Sequence, residues 1–193
     1  MNLKMKDFVL LALLTALYII VYFVAMMIIS LMGPFGHAIS TGVCGLLSGA
    51  ILIFISRKIG KMWQFTLMEL IIMGVFALMG AGYLPWFITS MIGAVLADVI
   101  ASTSNKPSVL KVAIASGLIH VGNALGGIIP ACFFAEQYMN EWIARGQKPD
   151  QMLEMVKATQ GVMGILGTVI TFILSIIGVY IGYSILKGHL KEN

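Results

Sequence analysis

Charged side chains are scarce in this chain. Only 12 of its 193 residues are lysine or arginine and 8 are aspartate or glutamate, whereas 60% are hydrophobic. Soluble domains carry about 25% charged residues, so this composition excludes a soluble domain. The net charge of +4 does not indicate nucleic-acid binding either, because most basic residues stand at the borders of apolar runs, where they set membrane topology.

Cysteine and the common site motifs are nearly absent as well. Cys44 and Cys132 have no partner at metal-ligand spacing, and we interpret both as small packing residues. Neither a G-x-x-x-x-G-K-S/T phosphate loop nor an H-E-x-x-H zinc motif occurs. We therefore predict no metal site, no intrinsic cofactor and no enzymatic activity of the chain itself.

Six long apolar runs make up most of the sequence. Each approaches or exceeds the ~20 residues that a helix needs to cross a bilayer core of ~30 Å. The runs cover residues 8–32, 38–56, 63–80, 84–101, 108–134 and 159–186. They predict an all-α integral membrane protein with six transmembrane helices, forming a single membrane domain over residues 1–193.

Basic residues occur at alternate connections between these runs. Nine of them are Lys4, Lys6, Arg57, Lys58, Lys61, Lys106, Lys111, Lys187 and Lys191. The positive-inside rule then predicts that these connections and both termini are cytoplasmic. The segment 135–158 is predicted to be an outside loop, in which residues 149–159 have the apolar spacing of a short amphipathic helix.

Ionisable side chains inside apolar runs are costly, which makes each a candidate functional residue. Asp98 and Lys111 flank one connection at similar depth on antiparallel helices. This predicts a structural ion pair between them, with proton coupling by Asp98 as the alternative. Glu69 has no obvious partner, and pairing with the fifth or sixth helix, pairing with Lys61 and contact with a substrate all stay open.

Two histidines are candidate ligand contacts. His120 lies near the middle of the fifth run and shares a helix face with Asn123. His37 ends the connection 33–37, which is predicted to be a tight turn. For both residues a structural role, as a packing residue or a helix cap, stays open beside ligand binding.

Aromatic residues gather in the connections that are predicted to lie outside. They form either an interfacial belt or a stacking pocket for a flat, partly apolar ligand. The candidate substrate-binding residues are His37, Tyr83, Trp86, Asn123, His120, Phe35 and Trp142.

Ala12 and Ala16 lie one helical turn apart in the first run. A small-xxx-small pair of this kind lets another helix approach closely in lipid. It predicts a face for docking on another subunit.

Together these features resemble the substrate-binding S component of an energy-coupling-factor (ECF) type ABC transporter, and more narrowly the MptD / Trep_Strep family. The resemblance covers essentially the full chain, with six spans and no nucleotide-binding domain. The residues that carry it are Ala12 and Ala16, the Gly-Pro-Phe-Gly-His string ending at His37, Pro85-Trp86, and Asp98 near the end of the fourth run. Asp98 stands where we would expect glutamate in this family.

The resemblance implies a substrate-capture subunit in the cell membrane of a prokaryote. Such a subunit binds a micronutrient outside, docks on a transmembrane coupling subunit that sits on two ATPase subunits, and topples to release the substrate inside. ATP is consumed by the partner ATPase subunits. The implied substrate is haem or another iron chelate, or a vitamin-like heteroaromatic compound. With haem, His37 would supply an axial nitrogen.

Two other interpretations stay open. A stand-alone ion-coupled carrier or channel would need a continuous polar path, and the first and sixth runs offer almost none. An intramembrane serine protease of the rhomboid kind would need a G-x-S-G motif, whereas the stretch from Gly45 to Gly49 places its serine one residue too late.

Overall fold

The structure, a computed structural model, describes residues 3–102 and 107–188 without the side chain of Phe35. These residues are almost entirely helical. The α-helices in the described ranges are α1 Met5–Ser30, α2 Gly33–Ala38, α3 Ser40–Lys58, α4 Gln64–Phe76, α5 Leu84–Ala101, α6 Val109–Phe133, α7 Ala135–Ala144, α8 Pro149–Thr159 and α9 Gly161–Leu186. A π-helical turn over Ala77–Ala81 extends α4.

Six helical segments in the described part of the chain are long and apolar enough to cross a membrane. They are α1, α3, α4 with its π-helical turn, α5, α6 and α9. Their bounds agree with the six predicted runs to within a few residues. The prediction of an all-α membrane protein with six membrane-crossing helices is therefore confirmed.

The segment 135–158, which was predicted to be a loop with one short helix, contains more helix than that. It holds α7 and most of α8, and α8 has the predicted bounds. Tyr138, Met139, Trp142 and Ile143 recur on α7 at helical spacing and belong to a small apolar cluster that includes α8 residues. This shared apolar face is what orders α7, which the sequence analysis did not predict.

The predicted tight turn at residues 33–37 is the short helix α2. Gly33, the first residue of α2, has a positive φ of 67°, a conformation that glycine adopts without a steric penalty. Pro34 follows within the first turn, where its missing N–H costs nothing. As a result α2 packs against α8 and α1 at one end of the bundle.

The centre of the bundle is formed by α3, α6 and α9, which pack against one another. Glycines allow the backbones of neighbouring helices to approach most closely. A Cβ on Gly49 of α3 would overlap the backbone of Gly178 on α9, and a Cβ on Gly93 of α5 would crowd the backbone of Gly122 on α6. In lipid, such small residues let helix backbones pack closely without a hydrophobic driving force.

The start of α1, the α3–α4 connection and the ends that join α5 to α6 lie together at one end, which we name the basic end. There the Nζ of Lys61 lies 2.5 Å from Oδ2 of Asp7, so Lys61 is not the partner of Glu69. Trp63, the residue immediately before α4, has a positive φ of 74° and is 51% exposed.

The predicted ion pair between Asp98 and Lys111 is wrong. The buried carboxylate of Asp98 accepts hydrogen bonds from the backbone N–H groups of Phe65 (3.2 Å) and Thr66 (2.8 Å) and from the hydroxyls of Thr66 (2.7 Å) and Ser102 (2.6 Å), whereas Lys111 is exposed. The first amides of a helix have no partner within it. Asp98 satisfies two such amides of α4 and gains from the positive end of the helix dipole.

Candidate functional site

A cavity of about 320 Å³ lies at the end of the bundle opposite the basic end. Every described helix except α9 contributes residues to its lining. α2, α7 and α8 contribute from outside the membrane-crossing segments, and α1, α3, α4, α5 and α6 contribute from within them. The volume is in the range of small-molecule binding sites.

One part of the cavity wall is built from rings on three different helices. The ring of Phe76 lies with its centroid 5.0 Å from Tyr22 and 5.4 Å from Trp86, in edge-to-face arrangements. Such pairs are stabilising beyond the area that they bury. They hold Trp86 of α5 in place beside the cavity.

Three further rings join α7 to the start of α5. The ring centroid of Tyr83 lies 5.5 Å from Tyr138 and 5.9 Å from Trp142. Burial raises the pKa of Tyr138 to about 12 and also raises the pKa of Tyr83. Both hydroxyls are therefore neutral at physiological pH and add no charge to the cavity.

Arg145, which follows α7, fastens that helix over the cavity. Its guanidinium donates a hydrogen bond of 2.8 Å to the carbonyl oxygen of Gly82, between α4 and α5. It also pairs with Glu141 and lies 5.1 Å from the ring centroid of Trp142. One cation thus links α7 to the α4–α5 connection.

Asn123 of α6 orients Trp86. Its side-chain oxygen accepts hydrogen bonds from Nε1 of Trp86 (3.0 Å) and from the hydroxyl of Ser90 (3.2 Å), and its amide nitrogen donates to the carbonyl oxygen of Ile119 (3.1 Å). Indole N–H can only donate, which fixes the orientation of the amide. A Cβ at Gly126 would overlap Trp86, so the indole rests directly on the backbone of α6.

His37 of α2 is half-buried and lines the cavity. Burial lowers the pKa of His37 below its ordinary value. The imidazole is therefore neutral at pH 7 and offers one donor and one acceptor to the cavity.

His120 lies in the layer beneath the cavity. Its Nδ1 is 2.7 Å from the carbonyl oxygen of Ser116, and its Nε2 is 3.0 Å from the hydroxyl of Tyr18. A carbonyl oxygen only accepts, so Nδ1 carries the proton and Nε2 of the neutral ring accepts from Tyr18. Both ring nitrogens are thus engaged within the protein, which favours the packing role for His120.

Glu69 of α4 is fully buried, and its two carboxyl oxygens have no hydrogen-bond partner among the described residues. It lines a void of about 10 Å³ beneath the cavity, which is close to the volume that one water molecule needs. Tyr22, Thr41, Trp86 and Asn123 border both spaces. The hydroxyl of Thr41 is likewise buried and without a partner in the described part of the chain.

The structure brings five of the seven predicted binding residues to the lining of one cavity: His37, Tyr83, Trp86, Asn123 and Trp142. His120 borders the void below it. Phe35 belongs to α2, and its side chain lies outside the described part. The role of these residues in ligand binding stays a prediction.

Sequence analysis missed Tyr22, Phe76 and Thr41 as lining residues. On α1 a signal was present, because the buried Thr15 and Tyr18 lie on the same helical face as Tyr22, at i, i+3 and i+7. Side chains with hydroxyl groups on one face of an apolar helix indicate the side that faces the protein interior.

The lining contains no lysine or arginine among the described residues. Nor do the described residues contain a group of three His, Cys, Asp or Glu side chains that could hold a metal ion. The cavity is therefore aromatic and neutral in its outer part, with an acidic group beneath it.

Ala12 and Ala16 lie far from the cavity on the exposed face of α1. Neighbouring positions on that helix are also exposed, and only 22% of its most apolar window is buried. The docking role of this face stays a prediction.

Comparison with known families gave one result. The family model described as a hypothetical bacterial integral membrane protein (Trep_Strep) matches residues 5–192. No curated protein and no solved structure matches the chain. The matched range includes the six membrane-crossing helices and the whole lining of the cavity.

Proposed function

We propose that this chain, which belongs to the Trep_Strep family of bacterial integral membrane proteins, is the substrate-capture subunit of an ECF-type importer. It binds a micronutrient in the cavity at the outer end of the bundle. It then docks on a transmembrane coupling subunit with two ATPase subunits, which supply the energy, and delivers the substrate by toppling.

The observation that carries this proposal is the one-sided position of the cavity. The 320 Å³ space is confined to one end, whereas the half near the basic end is filled by side chains with almost no exposed surface, such as Leu11, Ile53, Phe65 and Val112. A closely packed half of this kind suits a binding protein rather than a channel, because interiors at this density leave no room for a ligand to pass.

Delivery must therefore involve a movement of the whole bundle or help from another subunit. The exposed side of α1 suits such a contact. Ala12 and Ala16 are small and exposed, so a helix of the coupling subunit could approach the α1 backbone closely there. The chain itself carries no phosphate loop that could bind ATP.

The lining favours a flat aromatic substrate. Trp86, Tyr83 and Trp142 provide rings for stacking, and apolar walls repay the desolvation of such a ligand. Of the two implied substrate classes, a vitamin-like heteroaromatic compound fits the lining better than haem, because no lysine or arginine among the described lining residues is available for the two haem propionates.

The test is ATP-dependent transport in proteoliposomes that contain the chain, an ECF coupling subunit and two ATPase subunits. We expect the Ala12→Trp/Ala16→Trp double variant to lose complex formation and uptake while ligand binding by the solitary protein is retained. Two large rings would keep the coupling helix from approaching the α1 backbone.

A matched control is Leu13→Trp/Leu17→Trp, which adds the same rings to exposed positions centred about 100° away around α1. This control is expected to form the complex and to transport normally. Normal uptake by the alanine variant would refute docking through α1. Uptake by the chain alone, driven by an ion gradient without ATPase subunits, would favour the stand-alone carrier instead.

A further inference from the structure

Glu69 is a carboxyl group in a place where carboxyl groups are costly. Its side chain is fully buried within a membrane-crossing helix, and neither oxygen has a hydrogen-bond partner in the described ranges. The other buried acids differ, since Asp7 pairs with Lys61 and Asp98 accepts four hydrogen bonds. A buried polar group without a partner is destabilising, so this one calls for a partner from outside the chain.

The position of Glu69 indicates where that partner would come from. It borders the 10 Å³ void, and Tyr22, Thr41, Trp86 and Asn123 border both this void and the ligand cavity. Both ring nitrogens of His120 and the side-chain oxygen of Asn123 are already engaged in hydrogen bonds within the protein. At this floor, the side-chain oxygens that are buried without a partner in the described residues are those of Glu69 and Thr41, and Glu69 is the one that can carry a charge.

We propose that Glu69 binds a protonated nitrogen of the ligand, so that the cavity selects flat aromatic compounds that carry an amine or amidine. The ring stacks in the outer cavity, and the nitrogen reaches the carboxylate directly or through one water molecule in the void. This inference rests on the proposed function for the existence of a captured ligand, and it names the chemical class of that ligand.

The walls of the cavity support this choice of class. No lysine or arginine of the described residues lines it, so an anionic group would be buried without a partner. Tyr22 and Trp86 border both the cavity and the void that Glu69 lines, and the faces of aromatic rings attract cations. A carboxylate and a cation are each costly to bury alone, but together they form a charge-assisted hydrogen bond.

The experiment uses three probes with the same indole ring and different tails. Tryptamine ends in an ammonium group, tryptophol in a hydroxyl and indole-3-propionate in a carboxylate. Equilibrium dialysis against the purified full chain in lipid nanodiscs gives the Kd of each. We expect tryptamine to bind most tightly and indole-3-propionate most weakly.

The variant Glu69→Gln keeps the size of the side chain and removes its charge. It should weaken tryptamine binding by about tenfold or more, because it removes one partner of a buried charge pair, while tryptophol binding stays nearly unchanged. Thr41→Val, which alters the same floor without removing a charge, is the matched control and should keep the preference for tryptamine.

The ranking in the wild-type protein does not depend on whether the variant folds. Equal or tighter binding of indole-3-propionate, an unchanged preference in Glu69→Gln, or failure of all three probes to bind would each overturn the inference. A chain that binds none of the probes but transports with its ATPase partners keeps the proposed function and loses this inference. A chain that prefers tryptamine but forms no complex with a coupling subunit keeps this inference and loses the proposed function.

Discussion

Two buried acids in this bundle have opposite surroundings, although the sequence presents them alike. Asp98 lies against the first amides of α4 and is fully hydrogen-bonded. Glu69, on that same helix, faces a void with no partner in the described part of the chain. Asp98 therefore stabilises the fold, whereas Glu69 destabilises it, which is the ground on which we proposed a ligand contact for Glu69.

At the residue scale, the structural role of Asp98 gives a prediction. Asp98→Asn should lower the free energy of unfolding by about 1–3 kcal/mol, because the new amide group turns a donor toward the N–H groups of Phe65 and Thr66. Lys111→Met should change it by less than about 0.5 kcal/mol, since Lys111 is an exposed side chain. Denaturation of the purified protein in mild detergent measures both. Equal losses in the two variants would restore the ion pair that the sequence suggested.

The residues of the cavity were predicted better than those of the basic end, and the reason is physical. Tyr83, Trp86 and Trp142 stand in or beside connections rich in aromatic residues, for which a stacking pocket was one of the two alternatives. The partners of Asp98 are mainly backbone amides. Every residue type except proline has a backbone amide, so the sequence does not show which amides Asp98 contacts. The residue of opposite charge at similar depth, Lys111, was therefore predicted to be its partner.

At the element scale, α3 and α9 depend on glycines at their contact. Gly49→Ala should strongly destabilise the bundle, because the added Cβ would overlap the backbone of Gly178, and backbone cannot move aside as a side chain can. Gly74→Ala on α4 makes the same chemical change where nothing lies within 4 Å. It should stabilise the protein slightly, by up to about 1 kcal/mol, because alanine restricts the unfolded chain.

Thermal unfolding of the two variants in the same detergent compares them directly. A loss of similar size in both would mean that the α3–α9 contact is no closer than an ordinary one. A normal melting temperature for Gly49→Ala would mean that α3 and α9 can separate at little cost.

The helices that cover the cavity were only partly visible in the sequence. The start of α8 is marked by Pro149 and its apolar spacing. α7 has a similar apolar face, but it follows α6 after a single residue, Phe134. No glycine or proline marks that boundary, and the residues of α7 were therefore predicted to be part of a loop.

At the scale of the whole molecule, the spans were predictable and their arrangement was not. Hydropathy identifies a membrane-crossing helix from its own residues. Which helices touch is harder to read, because the sides that face lipid and the sides that face other helices are both apolar. The central position of α3, α6 and α9 is evident only from small residues such as Gly49 and Gly178, and their pairing requires the structure.

The orientation of the bundle in the membrane also has a direct test. The placement of basic residues predicts that Lys148 lies outside and Lys58 inside. In a background with Cys44→Ala and Cys132→Ala, an impermeant maleimide on intact cells should label Lys148→Cys and spare Lys58→Cys. A permeant maleimide should label both, since both positions are exposed. The opposite pattern of labelling would place the cavity on the cytoplasmic side.

The distribution of the three tryptophans gives this protein built-in optical reporters. Trp86 and Trp142 line the cavity, and Trp63 lies at the basic end. The indoles at the cavity sit beside the expected ligand, whereas Trp63 is separated from it by the length of the bundle. Intrinsic fluorescence therefore distinguishes an event at the cavity from one at the opposite end, without any attached dye.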